Sequence, residues 1–525
     1  ADSHALFAPG TPFREPHSSL VYEVREELPL LGESLAAYQV GMAARVMSFG
    51  WDASTKLHVE GLSSNTQIET ADGQVRDVVQ RCFAVVPGGQ AQTTVQAIET
   101  HFFGRGRRLL ANWRTVHEEH NGKGSWQGPA PSSLGTHLLG GGCLLLTDTC
   151  NSARCSRKLL KEMVVAAVEA STGSQAWAAL SNAERTARSR VYEGDCMQHL
   201  RNVVLDAMLA AATAHLKGEL EESLDAFSSF ERMSTDPMNL IRAVHKEFHP
   251  TGDYYKGKND QFHDWRGRTH PSSFFFRLER AGSGRQDLGF DAALPIFLDR
   301  AILCEFLSLF VMLPDHSNIL EAFLWAVLGC QEMVAFLRAL TLFDLLLSRP
   351  WRWLAGSSST LKRWSINKMG EVLDHVETAL EEVADDGKKL LQPDFDPFAS
   401  VAAEQPAFAA WRKESADATI KAPDGRRHRL MELALAEAQQ PRDKVNKDAT
   451  DTTIQLIEVM AEAALRKMRD PKLAVSDWLT SQDGKYAIGA NAEMHEATIG
   501  AHTTTDRVES NFGCYGTQIR DVAQV

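Results

Sequence analysis

The chain has 525 residues, of which 44% are hydrophobic and 23% are charged, and its formal net charge is −13. This length allows two or three domains with substantial cores, and the composition is that of an ordinary folded protein. The acidic balance excludes a uniformly basic, nonspecific nucleic-acid coat, although it is compatible with a local basic groove.

Neither secretion nor a membrane span is predicted. No N-terminal stretch combines a charged region with a following apolar region, as a secretory signal would. The most apolar zone, Leu294–Leu347, is interrupted by charged residues before it reaches the ~18 apolar residues of a membrane span. The eight cysteines are scattered without a CxxC pair, which indicates a reducing compartment.

The first part of the chain changes from helical to strand-like periodicity. A Pro-, Ser- and His-rich lead-in precedes Leu30–Met47, which has roughly helical spacing and is predicted to start as a helix. Three strand-like segments then follow, separated by short turns: Val46–Asp52, Leu57–Ile68 and Val75–Val86. Three successive strands with short connections predict an antiparallel meander.

A short apolar run at Cys143–Leu146 lies between two predicted helices. The first helix is predicted at Thr93–His117, and the second begins shortly after Asp148. Glycines before the run and polar turn residues after it predict a strand that is buried on both faces. Sheets present ligands and metals at the carboxyl ends of such strands, so Asp148 is a candidate site residue. The alternative is that Asp148 caps the following helix.

The remainder of the chain is predicted to be almost entirely helical. A further short strand is predicted at Arg190–Tyr192, and helical spacing extends from about Asp206 to Thr498. We expect these helices to pack through the apolar block Leu294–Leu347, with the carboxylates of the block at its rim. Threonines after residue 501 are candidate caps for a final helix that carries Asp506 and Glu509 in its first turns.

The succession of strand, strand, strand, helix and strand resembles the ribonuclease H-like fold. Four motifs make the resemblance more specific, to one group of proteins with this fold: FGWD (49–52), LLLTDTCNSA (144–153), CMQHLRNVV (196–204) and DRVESNFG (506–513). The third contains the CxxH motif of eukaryotic cut-and-paste DDE transposases, which the hAT, P-element and Kolobok-type superfamilies share. The similarity covers roughly residues 45–525, mostly by motif order and spacing.

The resemblance implies an α/β fold in which a ribonuclease H-like mixed sheet is interrupted by a large all-α insertion domain. The implied divisions are 1–45, an N-terminal lead-in and helix; 46–205, the first part of the catalytic domain; 206–498, the helical insertion domain; and 499–525, the return to the catalytic domain with the final acidic helix. No zinc-finger-like or helix-turn-helix domain is recognisable before residue 45, so recognition of transposon ends is unaccounted for.

Carried over residue by residue, the resemblance makes Asp52, Asp148 and Glu509 the catalytic, metal-binding carboxylates. Cys196 and His199 become structural motif residues. The implied cofactor is Mg²⁺ or Mn²⁺, because such hard cations prefer oxygen ligands and keep positions open for phosphate and water. Two ions ~4 Å apart can stabilise both the attacking and the leaving oxygen of a phosphoryl transfer.

Alternatives remain open for each of these residues. Asp52 could be a turn residue, Asp506 or Glu493 could replace Glu509, and Asp195 is a reserve carboxylate. A zinc site of the form Cx4C…CxxH could also be built, and its ligands would be Cys150, Cys155, Cys196 and His199.

A stretch that mixes aromatic and basic residues, Tyr254–Arg268, lies in the helical region. Such a mixture suits unstacked bases and phosphates, and the resemblance makes Trp265 a candidate for contact with a flipped base. The candidate DNA-binding residues are Lys256, Lys258, Trp265, Arg266 and Arg268. The alternative is that Trp265 is a structural aromatic on a loop.

The predicted function is that of a nuclear DNA transposase, which performs metal-dependent strand cleavage and strand transfer. Its expected partners are double-stranded DNA, as transposon ends and as target, and further copies of itself in a homo-oligomer. One alternative is a catalytically inactive, domesticated descendant that binds DNA or protein. Another is an unrelated helical interaction protein with a small α/β domain. Convergence of the three carboxylates would exclude the last alternative.

Overall fold

The computed structural model describes residues 33–505, apart from gaps at 57–58, 86–89, 226–236, 249–257, 271–286, 312–318, 358–360, 362, 417–418, 422–426, 480–484, 487 and 489–490. The chain divides into two compact units, Ala1–Glu193 with Thr505–Val525, and Gly194–Thr504. The predicted divisions at 205/206 and 498/499 both fall inside the second unit. The long helix that starts at Met197 belongs wholly to that unit.

A five-stranded mixed sheet organises the first unit. Its strands are β1 (Arg45–Lys56), β2 (Val59–Glu69), β3 (Val75–Val85), β4 (Cys143–Thr147) and β5 (Val191–Asp195), in the order β3-β2-β1-β4-β5. The first three strands pair in antiparallel fashion, and this confirms the predicted meander. Strand β4 pairs with β1 in parallel, so two strands that are far apart in sequence are neighbours in the sheet.

Six described helices accompany the sheet. They are α1 (33–41), α2 (Ala91–Ala97), α3 (Arg105–Asn121), α4 (Asn151–Thr172), α5 (Ser174–Ala179) and α6 (Asn182–Arg188). A π-helical stretch, Ile98–Gly104, joins α2 to α3. The prediction that Leu30–Met47 starts as a helix is confirmed from residue 33, where the described residues begin. The helix stops at residue 41, and the amide of Ala44 already donates to the carbonyl of Glu69, which begins the sheet pairing.

One face of the sheet carries the apolar core of the first unit. Phe49 and Trp51 on β1 belong to this core together with Leu145 on β4. The ring of Phe49 lies 5.6 Å from that of Trp51 and 5.9 Å from that of Phe103, measured between centroids. Because side chains alternate along a strand, Gly50 and Asp52 face the opposite side of the sheet.

The regular secondary structure described in the second unit is helical, apart from the end of β5 and a hairpin of β6 (Thr419–Lys421) and β7 (Arg427–Arg429). This confirms the predicted helical character of the region. Its helices are α7 (Met197–Asp225), α8 (Pro237–Phe248), α9 (Asn259–Thr269), α10 (Asp287–Val311), α11 (Ile319–Gly329), α12 (Gln331–Phe343), α13 (Arg349–Gly356), α14 (Lys368–Asp385), α15 (Ala399–Glu404), α16 (Pro406–Ala416), α17 (Leu430–Gln439), α18 (Lys444–Asp448), α19 (Thr450–Met468) and α20 (Ala492–Ala497).

Helix α12 is the central helix of this unit, since every residue from Met333 to Phe343 is buried. It packs against α10 and α19. None of the described helices is by itself long and apolar enough to cross a membrane. The segments Ile319–Gly329 and Gln331–Gly356 reach the required length and hydropathy only as a pair, which is bent by 71° at its break.

The prediction that the carboxylates of the apolar block lie at its rim is wrong for three residues. The buried carboxylates and their partners are Asp299 with Arg266, Glu321 with Lys258, and Asp344 with Arg349. Burial of a carboxylate in an apolar environment is tolerated when a cation pairs with it. The block is therefore joined to neighbouring segments through internal ion pairs as well as by apolar packing.

Candidate metal centre

The pairing of β1 with β4 brings Asp52 and Asp148 to the same level of the sheet. Gly50 is paired with Leu146 in a parallel register. Two residues further along each strand direction are Asp52 and Asp148. Neighbouring strands lie about 4.8 Å apart, so the two backbones are close at this level. The prediction that Phe49–Asp52 and Cys143–Thr147 are adjacent parallel strands is confirmed.

Asp52 does not lie in a turn. Strand β1 continues to Lys56, and Asp52 is paired with Ser63 of β2. The interpretation of Asp52 as a turn residue is therefore wrong. Its side chain is half-buried on the sheet face opposite the aromatic core, where the pairing of β1 with β4 ends.

Asp148 is not the N-cap of the helix that follows it. Helix α4 begins at Asn151, and its N-cap is Cys150, which has an extended backbone conformation and no side-chain capping bond. The helix-cap interpretation of Asp148 is therefore wrong. The residue is half-buried and lies just before the positive end of the α4 dipole, which favours a negative charge nearby.

The predicted third carboxylate, Glu509, lies outside the described residues, and so does Asp506. The last described residue, Thr505, packs against β1: its methyl carbon lies 3.8 Å from the position that a β-carbon on Gly50 would occupy.

The other two candidate carboxylates belong to the second unit. Glu493 is exposed on the short helix α20. Asp195 is fully buried and accepts a hydrogen bond from the indole nitrogen of Trp478, with a distance of 3.3 Å. The ring of Tyr486 stacks on Trp478 at 4.2 Å between centroids. Asp195 is therefore enclosed by aromatic packing, which favours a structural role for it over a metal-binding one.

The CxxH motif forms the first turn of α7. Cys196 is buried directly after β5, and its carbonyl accepts hydrogen bonds from the amides of His199 and Leu200. The amide of Met197, inside the motif, donates to the carbonyl of Thr503 at 2.9 Å. These bonds give the motif a structural position at the start of the longest helix of the second unit.

The alternative zinc site is not assembled. Cys150 and Cys155 are exposed at the start of α4, whereas Cys196 is buried at the start of α7. Within the described parts of the chain, no three His, Cys, Asp or Glu side chains are grouped closely enough to hold a metal ion. Of the three predicted metal-binding carboxylates, the structure describes Asp52 and Asp148, and carboxylate oxygens are ligands that Mg²⁺ and Mn²⁺ prefer.

The structure separates the candidate DNA-binding residues into two groups. Arg266 is buried with its guanidinium 3.7 Å from Asp299, and the ammonium of Lys258 lies 3.5 Å from the buried carboxylate of Glu321. Both cations therefore serve internal packing, which corrects the interpretation of them as DNA contacts. Lys256 lies outside the described residues.

Trp265 and Arg268 remain accessible on α9. Trp265 is half-buried and packs on Phe306, with 5.2 Å between ring centroids. It is a helical residue, so the expectation of a loop position is wrong. Arg268 is exposed and pairs with Asp264 one helical turn away.

Replacement of Arg266 by methionine is expected to destabilise the protein by about 3–5 kcal/mol, because it leaves the carboxylate of Asp299 buried without this cation. Replacement of Arg268 by alanine should change stability by less than about 1 kcal/mol, since exposed ion pairs contribute little. Urea unfolding of both variants measures the difference. Equal stability of the two variants would contradict the assignment of Arg266 to the core.

No protein-family model matches the chain, and no curated protein is significantly similar to it. The described residues define a mixed α/β protein with a five-stranded mixed sheet and a largely helical second unit. Asp52 on β1 and Asp148, the residue directly after β4, each follow by two residues the paired positions Gly50 and Leu146 of the two parallel strands.

Proposed function

We propose that the chain is a DDE-type DNA transposase with a ribonuclease H-like catalytic unit, which cleaves DNA strands and transfers them in a metal-dependent reaction. The observation that carries this proposal is the parallel pairing of β1 with β4. It brings Asp52 and Asp148 together from positions far apart in sequence, as a shared metal pair requires. The motif order and the CxxH turn at the start of α7 add support.

The residues present fit a divalent metal centre. Asp52 and Asp148, together with Glu509, would hold Mg²⁺ or Mn²⁺, which supplies Lewis-acid stabilisation of phosphate oxygens and of an attacking water or hydroxyl oxygen. Asp52 lies on the regular backbone of β1, and Asp148 directly follows β4; both side chains are half-buried.

The partners follow from this chemistry. Double-stranded DNA, as transposon ends and as target, is the proposed substrate; the protein would act in the nucleus as a homo-oligomer. On the second unit, Trp265 and Arg268 are the described residues that we retain as DNA contacts. Their aromatic and cationic side chains suit bases and phosphates.

The proposal is tested with the purified full chain and with DNA that flanks its own coding sequence, in Mg²⁺ or Mn²⁺. We expect strand cleavage by the unmodified protein and a loss of about 10³-fold or more in the Asp52→Asn variant, because a charge-stabilising group at the reacting phosphate is lost. The control is Asp77→Asn on β3, away from the pairing of β1 with β4, which should retain activity.

Two outcomes would contradict the proposal. Equal cleavage by Asp52→Asn and the unmodified protein would exclude Asp52 from the reaction. DNA binding without cleavage or metal binding in the unmodified protein would instead support a catalytically inactive, domesticated descendant.

A further inference from the structure

Strand β2 of the first unit contains five consecutive polar residues that are all buried. None of them is more than 7% exposed, and they are Ser63, Ser64, Asn65, Thr66 and Gln67. Burial of a polar side chain is unfavourable unless a hydrogen-bond partner replaces the water that it loses. The position of each residue in the sheet indicates where such a partner has to come from.

The pairing of β2 with β1 assigns these residues to the two faces of the sheet. Thr66 is paired with Phe49, so it belongs to the face that carries the aromatic core. Asn65 is paired with Gly50, so it belongs to the opposite face, as does Asp52. This follows because directly opposed residues of an antiparallel pair point to the same face, and successive residues alternate.

Asn65 contains a buried acceptor that the described polypeptide does not satisfy. It is 7% exposed, and no group in the described parts of the chain donates a hydrogen bond to its side-chain oxygen. The next residue on the same face is different, since the side-chain oxygen of Gln67 accepts from the hydroxyl of Ser48 at 3.3 Å. A buried polar group without a protein partner indicates a bound water or ion beside it.

Asn65 is a diagonal neighbour of Asp52. The residue directly opposite Asp52 is Ser63, and Asn65 follows it by two residues along β2. The α-carbons of diagonal neighbours are about 7–8 Å apart, with the β-carbons somewhat closer. At Gly50 there is no side chain between Asn65 and β4, and a β-carbon there would have no atom closer than 3.6 Å. This spacing suits a contact between Asn65 and Asp52 through an intervening group.

We propose that Asn65 is a positioning residue of the metal centre, whose side-chain oxygen accepts a hydrogen bond from a water molecule bound to the divalent ion at Asp52. This inference rests on the proposed function. Mg²⁺ keeps several water ligands when carboxylates bind it, and those waters need acceptors. A neutral amide supplies an acceptor without adding a third negative charge beside Asp52 and Asp148, which would repel them when no ion is bound.

The test compares Asn65→Leu, which removes the oxygen and keeps a similar volume, with Asn65→Asp, which keeps an acceptor oxygen. The matched control is Thr66→Val, because Thr66 is the next residue of β2, is 2% exposed and belongs to the face of the aromatic core. The probe is Mn²⁺ alone, titrated by electron paramagnetic resonance. Melting temperatures with and without Mn²⁺ and single-turnover DNA cleavage are measured in parallel.

We expect Asn65→Leu to lose about 10–100-fold in Mn²⁺ affinity, the effect typical of groups that hydrogen-bond to metal ligands. Its melting temperature without metal should not fall, because an apolar side chain replaces an unpaired buried acceptor. Asn65→Asp should bind Mn²⁺ at least as tightly as the unmodified protein, although it should melt at a lower temperature without metal. Thr66→Val should leave Mn²⁺ affinity unchanged. If Asn65→Leu does not fold, Asn65→Ala provides the same comparison.

Unchanged Mn²⁺ affinity in Asn65→Leu would overturn the inference while leaving the proposed function intact. An equal loss of Mn²⁺ affinity in Thr66→Val would also overturn it, because the effect would then come from a general disturbance of β2. Absence of Mn²⁺ binding and cleavage in the unmodified protein is a different result, since it contradicts the proposed function itself.

Discussion

Replacement of Asp148 by alanine is expected to abolish metal-dependent cleavage and strand transfer while leaving the fold intact. The substitution removes the carboxylate that directly follows β4, the neighbour of the strand that carries Asp52, and with it the stabilisation of the leaving oxygen that a bound metal would supply. Loss of a helix cap would cost about 1 kcal/mol, but the cap of α4 is Cys150. The melting temperature should therefore change little.

The measurement is single-turnover cleavage and strand transfer on DNA that flanks the coding sequence, together with a melting curve for each variant. Asp148→Asn separates charge from shape and should be as inactive as Asp148→Ala. Thr149→Ala, one residue further along, is the local control and should remain active. Undiminished cleavage by Asp148→Ala would show that Asp148 has only a structural role, and it would contradict the proposed metal centre.

The strands of the first unit were predictable because their pattern is local. Alternation along Val46–Asp52 and the short apolar run at Cys143–Leu146 each depend on only a few neighbouring residues. Their pairing with each other came from the family resemblance, since periodicity does not identify the partner of a strand. The exact end of α1 was not predictable, because apolar spacing continues past residue 41 into β1.

The site was less predictable than the sheet. Asp52 and Asp148 could be proposed from motif order, whereas the structural role of Asp195 depends on a hydrogen bond from Trp478, 283 positions away. The burial of Asp299 and Glu321 was missed for the same reason. A carboxylate in an apolar helix is expected to face solvent unless a cation is known to pair with it. Here the cations are Arg266 on α9 and Lys258, the residue before α9.

A buried arginine at the centre of the second unit gives the second large expected effect. Arg338, on α12, is 1% exposed. Its guanidinium donates to the carbonyls of Ala438 at 2.5 Å, Gln439 at 3.2 Å and Asn446 at 3.1 Å, and to the hydroxyl of Thr450 at 2.9 Å. It therefore binds the end of α17, helix α18 and the start of α19.

The positive charge of Arg338 suits this position. The last carbonyls of α17 have no partners within their own helix, and a cation at a helix C-terminus is favoured by the dipole. Burial lowers the pKa of Arg338 to about 10, so the guanidinium remains protonated at neutral pH. One side chain thus satisfies buried acceptors from three helices.

Replacement of Arg338 by methionine is expected to destabilise the second unit by about 3–5 kcal/mol, because it leaves several buried carbonyls without donors. In a domain of this size the melting temperature should fall by about 6–10 °C. Denaturant unfolding followed by circular dichroism measures the loss. Arg338→Lys, which keeps the charge but has fewer donors, should be destabilised to an intermediate extent.

Arg412→Met is the matched control for the substitution at Arg338. Arg412 pairs with Asp396, both side chains are about one-third exposed, and exposed pairs contribute less than about 1 kcal/mol. Equal stability of Arg338→Met and Arg412→Met would mean that water reaches the carbonyls of α17 in place of the guanidinium. That result would contradict the burial of α12 at the centre of the unit. A large loss of stability in Arg338→Met alone would instead mean that the packing of α12 with α17, α18 and α19 depends on one buried cation.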